Sequence, residues 1–210
     1  MDTQERAIML SRRWQIVRMA GFTAIELMTA IALLAVLLGI GVPSMVDWVR
    51  NNKVRVVANA LQSGIRSAQT EALSRSQPVV LVLTNAVPTN IEDLSAAANG
   101  KFWATLAIPR QGTSETGALL STGALGDVAD GVTITGPGAI CFSAIGRMTA
   151  HTEPGPTGAT CSLPTTTAEV FDVDMTGAKR RLRVLVSIGG QVRMCDRDKD
   201  IATAPDGCPT

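Results

Sequence analysis

Twenty consecutive residues, Leu27 to Val46, carry no charge. At about 1.5 Å per residue, a helix of that length covers roughly 30 Å, the hydrocarbon thickness of one bilayer. Arg6, Arg12, Arg13 and Arg18 precede the run against Asp2 and Glu5, and the next charge is Asp47. The positive-inside rule then predicts a single span, with the N-terminus cytoplasmic and everything after about residue 46 on the other side. A secretory signal peptide would need a shorter apolar stretch followed by a small-residue cleavage site. Here the run is too long, and the best such site, Ala20-Gly21, comes before it.

A plain membrane anchor leaves Glu26 unexplained. A carboxylate within a span costs about 2.5–3.5 kcal/mol at the centre, less near the edge, so it usually has a partner. A cut between Gly21 and Phe22 would supply one, because it creates an α-amino group in the apolar phase. Glu26 lies four residues, about 6 Å of helix, further in. If helices pack side by side with an axial stagger, Glu26 of one chain meets the amine of its neighbour. That pairing favours one register, since an unpaired buried charge is costly.

The residues GFTAIELM, Gly21 to Met28, resemble the processing and methylation motif of type IV pilins and pseudopilins. The resemblance implies a basic leader, residues 1–21, that a prepilin peptidase removes after Gly21. It implies N-methylation of Phe22 and subunit registration by Glu26. Pro43 stands where pilins often carry a helix-kinking proline. The implied location is the inner membrane, with the C-terminal domain periplasmic, and then a pilus or pseudopilus filament made with other pilins or pseudopilins.

The helical pattern continues past the apolar run. Val54, Val57, Leu61, Ile65, Ala68 and Ala72 recur every three or four residues, an amphipathic stripe, and Pro78 is a natural stop. One helix is expected over 22–77, its assembly part 22–46 and its amphipathic part 47–77. Gly39, Gly41 and Pro43 are its weak points. Strands follow within 78–210: Val79–Thr84, Phe102–Ile108, Val132–Thr135, Ala139–Ala144, Glu169–Met175 and Leu182–Ile188. The segment NIEDLSAAANGK reads equally as short helix or loop. A helix followed by strands predicts an α+β fold, with antiparallel sheet packed on the outer part of the helix.

Two phrases, ICFSAIGRMT (Ile140–Thr149) and LVSIGGQVRMC (Leu185–Cys195), each read strand, glycine turn, strand. They resemble the paired phrases of the GspH/FimT family, which includes the type II secretion pseudopilin H and the minor pilins FimT and FimU. The second phrase departs from that family's Gly-Arg-x-Arg: this chain has Gly190-Gln191-Val192-Arg193. The resemblance implies a minor pilin of a type IV pilus or pseudopilus, near the tip or in priming of assembly. Its alternatives are pseudopilin H of type II secretion, and a DNA-binding pilin of natural transformation.

The cations that could serve DNA are Lys179, Arg181, Arg183, Arg193 and Arg197, with Arg180 and Lys199 nearby. Phosphate neutralisation by such residues is strongly salt dependent. Asp196, Asp198 and Asp200 are interleaved with them, and the net charge of the chain is only +1. Alternation along a strand also sends neighbouring cations to opposite faces.

Cys141, Cys161, Cys195 and Cys208 contain no C-x-x-C spacing, and His151 is the single histidine. No metal site and no cofactor are expected. Four cysteines beyond a membrane span point to disulfides. Cys195 and Cys208 bracket a polar segment that could not order itself by burial; a bridge there would contribute about 3 kcal/mol. Cys141 and Cys161 would then pair. This is the pairing with the shortest loops, and the other two remain open. No enzyme chemistry is expected: Ser143 has no base nearby, and Asp172 and Asp174 share a strand face as ordinary surface acids do.

Overall fold

The computed structural model describes residues 21–110, 112, 115–126 and 130–209. The expected leader, apart from Gly21, lies outside the described residues. Contacts divide the chain between Val42 and Pro43 into two units.

The first unit contains the opening turns of α1 (Ala24–Arg75). Thr23 caps this helix: the Glu26 N–H donates to Thr23 Oγ1 at 3.3 Å. Every residue from Phe22 to Val42 is exposed. Such a surface is stable only in an apolar phase or against other apolar helices.

The second unit is the α+β domain. The rest of α1 presents Val54, Val57, Leu61, Ile65, Ala68 and Ala72, all buried. The helix stops where Ser76 takes a left-handed φ of 49° and Gln77 N–H bonds back to Ala72 O at 3.3 Å. Among the described residues, ten strands follow: β1 (Val79–Thr84), β2 (Phe102–Ala107), β3 (Ala118–Ala124), β4 (Val132–Thr135), β5 (Ala139–Phe142), β6 (Met148–Thr149), β7 (Ala168–Met175), β8 (Leu182–Ser187), β9 (Val192–Asp200) and β10 (Gly207–Cys208). They form two sheets, ordered β3-β2-β1-β5-β6 and β10-β9-β8-β7-β4.

The strands divide between two sheets, and the helix stripe is what joins them. Its residues share one core with Val79, Leu81, Leu83, Ile140 and Phe142 of the first sheet and with Phe171, Val173, Val184 and Val186 of the second. The period-2 alternation of each strand supplies those positions. The alternate residues of the first sheet, Val80, Val82, Ala104, Leu106, Ala139 and Cys141, form a second core on its other face. That core is covered by Leu94, Ala159 and Cys161 from long loops. The segment around Leu94 is therefore a loop rather than a helix, fixed by a bridge between Ser95 and Thr157.

Three elements exceed the sequence reading: β3, the second half of β9, and β10. β3 is an additional edge strand, paired antiparallel to β2 with a bulge at Leu120. β9 runs on to Asp200, and β10 joins it in parallel, as the isolated Ser95–Thr157 bridge also pairs.

Trp103 fixes the first sheet against the helix. A Cβ added at Gly64 would sit 2.9 Å from the indole, and one at Gly123 would sit 2.5 Å away. The ring is held between two glycines. We expect Gly64→Val to lower stability by about 1–3 kcal/mol through overpacking. The same change in a Trp103→Ala background should cost much less, measured by urea unfolding as a double-mutant cycle.

Candidate functional site

Three groups of residues carry chemistry. The first is the N-terminal motif. Gly21 and Phe22 lie in non-helical backbone just ahead of α1, and Phe22 is 83% exposed. Glu26 falls in the first helical turn, where the N-terminal partial positive charge favours a carboxylate. Thr23 and Glu26 have the spacing of a capping box, but its return bond, from the Thr23 N–H to the Glu26 carboxylate, is not made. The carboxylate has no hydrogen-bond or ion-pair partner among the described residues. Pro43 lies inside α1, at the boundary between the two units.

The second group is formed by the two glycine-turn phrases, which meet each other. The β5–β6 turn and the β8–β9 turn are joined by Met148 N–H to Ile188 O at 3.0 Å. Gln69 of α1 donates from Nε2 to Gly146 O at 2.8 Å, and Arg66 donates from Nη2 to Val192 O at 3.2 Å. Gly190 has a φ of 91°, and a Cβ there would lie 2.1 Å from Gly146 O. The seam thus ties helix, first sheet and second sheet together. Sequence reasoning picked out both phrases but not their contact, which is non-local.

The third group is the charged face of the second sheet and its tail. Asp172 stands opposite Arg183 in register, and the two bond at 2.6 and 3.0 Å. Arg197 lies 3.5 Å from the same carboxylate. Arg181 pairs with Asp198, and Lys179 with Asp47 at 2.7 Å. Arg193 donates to Gly207 O at 3.5 Å. Each cation considered for DNA is therefore already engaged within the chain. Arg180 bonds Asp196 at 3.0 Å and Asp206 at 2.6 Å, and Lys199 reaches Asp206 at 2.8 Å. Asp196, opposite Leu182 in register, points inward and is 3% exposed. It also accepts the Asp198 N–H at 3.1 Å, so its charge is satisfied.

The disulfides are Cys141–Cys161 and Cys195–Cys208. The first sits in the second core, and the second ties β10 to β9. Among the described residues, no three acid, thiol or imidazole groups converge as a metal site.

A long N-terminal helix on antiparallel sheets, with an exposed apolar first half, defines a pilin-like α+β protein. Residues 57–190 match the family described as Type II transport protein GspH. The match spans more than half of the chain, which therefore belongs to that family, one of structural pilins. It is a minor pilin or pseudopilin, of the type IV pilus or type II secretion kind. Among solved structures, the type IV minor pilin FimU of Pseudomonas aeruginosa is similar at 17% identity. That match covers 75% of this chain and 96% of FimU, with a TM-score of 0.46. The minor pseudopilin EpsH of the Vibrio cholerae Type 2 Secretion System is similar at 10% identity, covering 69% of this chain and 97% of EpsH, with a TM-score of 0.40. No curated protein gives a significant match.

The tail should respond to acid. Arg181 holds Asp198, and Lys199 holds Asp206, below the usual carboxylate range. A carboxylate whose pKa falls on folding contributes stability above its unfolded pKa and loses it as pH drops. Glu169, pushed up by burial, acts in the opposite sense. The urea midpoint should fall as pH is lowered from about 5 through the carboxylate range. The drop should be smaller in Asp198→Asn/Asp206→Asn. Cys195→Ser/Cys208→Ser should lose about 3 kcal/mol in the same assay.

Proposed function

We propose that the chain is a minor pilin, made as an inner-membrane precursor and built into a type IV pilus, where it acts in priming or near the tip. The observation that carries this reading is the Glu26 carboxylate, without a partner among the described residues, on a helix that is apolar and exposed for its first turns. In hydrocarbon it requires a positive partner. Cleavage after Gly21 creates one at Phe22, and N-methylation keeps that amine cationic. A staggered neighbour brings amine and acid together, each subunit satisfying the next. The globular domain then faces the periplasm or the filament exterior, carried by the outer part of α1.

A second reading, the H pseudopilin of type II secretion, is favoured by the description of the matched family. The two differ in the machine served, not in the chemistry of assembly. Deleting the gene separates them: loss of pili with normal secretion favours the first, and the reverse favours the second. DNA uptake is the weaker use, because the basic side chains of the second sheet already have partners within the chain. Binding to duplex DNA should be weak, and Arg193→Ala should leave it unchanged at low and high salt. A large loss in that variant would restore the DNA reading.

The assembly reading gives a paired outcome. Gly21→Ala should slow removal of the leader, seen as a larger precursor on gels. Glu26→Ala should be trimmed at the normal rate but recovered in sheared filaments several-fold less than the parent. Undiminished recovery of the Glu26 variant would contradict the registration role.

A further inference from the structure

A cleft of about 460 Å³ opens beside the first turns of α1 that follow the apolar run. Trp48, Asn51, Asn52 and Arg55 line it from the helix, and Arg180, Leu182, Met194 and Asp206 from the second sheet and tail. Its charges do not balance. Arg180 is held by Asp196 and Asp206, and Lys199 shares both carboxylates. Arg55 is exposed and has no carboxylate partner among the described residues. The cleft therefore has one uncompensated positive charge.

Its position is set by the sequence. Trp48 follows the last residue of the apolar run by two positions and is 67% exposed, the placement of an interfacial aromatic anchor. Arg55 lies nine residues past the run, about 13 Å of helix. Side chains on a helix lean toward its N-terminus, and an arginine stem reaches back several ångströms to the headgroup layer. Asn51 spends its Oδ1 on the N–H groups of Lys179 and Arg180, at 2.9 and 3.1 Å. Its amide NH₂ is thereby left as a donor.

We propose that this cleft seats the headgroup of one anionic phospholipid while the subunit waits in the membrane. The phosphate meets Arg55 and the Asn51 and Asn52 amides. The glycerol and upper chain lie along Trp48, Leu182 and Met194. The single negative charge of such a lipid matches the single unbalanced cation. The site rests on the reading that residues 27–46 span a bilayer.

Native mass spectrometry of the full chain in detergent micelles tests it, with phosphatidylglycerol or phosphatidylcholine added. Phosphatidylglycerol should be retained preferentially. Arg55→Gln should reduce that retention about fivefold, what one basic side chain is worth at an anionic surface. Arg75→Gln, at the far end of α1, should leave it unchanged. Equal retention of the two lipids, or no effect of Arg55→Gln, overturns the site. So does a dimer that Arg55→Gln weakens while lipid retention stays constant, since the cleft then belongs to a second copy. A chain that never enters the micelle overturns the membrane reading and the site with it. A chain that enters without preference overturns the site alone.

Discussion

The packing of one helical stripe against two sheets holds the domain together. Val54, Val57, Leu61, Ile65, Ala68 and Ala72 lie in the same core as the inward faces of both. The core shared by both sheets does not close without them, although the first sheet closes a second core on its other face against loop residues. The seam at Gly146 and Gly190 and the indole of Trp103 fix how closely those layers approach. The helix is thus committed along its later turns. Its first turns, equally apolar, have no such partner among the described residues. On the proposed reading, one element serves two environments, the interior of a domain and the interior of a membrane or filament.

The tail is stabilised differently. Beyond Cys195 the chain has little apolar surface to bury, and its order comes from a disulfide and from paired charges. Exposed ion pairs are each worth little, about 0–1 kcal/mol. Several on one short segment, with a covalent tie, suffice to extend β9 and hold β10 beside it. The same pairing occupies cations that a nucleic acid would need. A dense run of arginines and lysines is here a structural device.

Much of this was legible in the chain. The helix stripe, with its spacing of three and four, marked its buried positions individually, and six strands follow from alternation and turn residues. β3 escaped notice because ALLSTGA is small, uncharged and interrupted at Leu120 by a bulge that breaks the alternation. The second half of β9 escaped because DRDKD has no apolar face, and pairing by charge leaves no period in hydrophobicity. That the strands divide between two sheets, and that the glycine turns touch, depends on contacts between distant residues. Asp196 could have been suspected from its register opposite Leu182, but only once the hairpin was aligned. At the N-terminus the motif and the lone carboxylate were plain in the sequence. The structure adds that the Glu26 side chain is left unbonded among the described residues, even by the capping box its spacing allows.

The central claim is that Glu26 is satisfied by the amine of another trimmed subunit. Intact-mass and N-terminal peptide analysis of the chain from sheared filaments and from membranes of its host tests this directly. The account predicts filament material that begins at a methylated Phe22 and co-purifies with other pilin subunits. Chain recovered with residues 1–21 still attached, alone in the bilayer and absent from filaments, would contradict it.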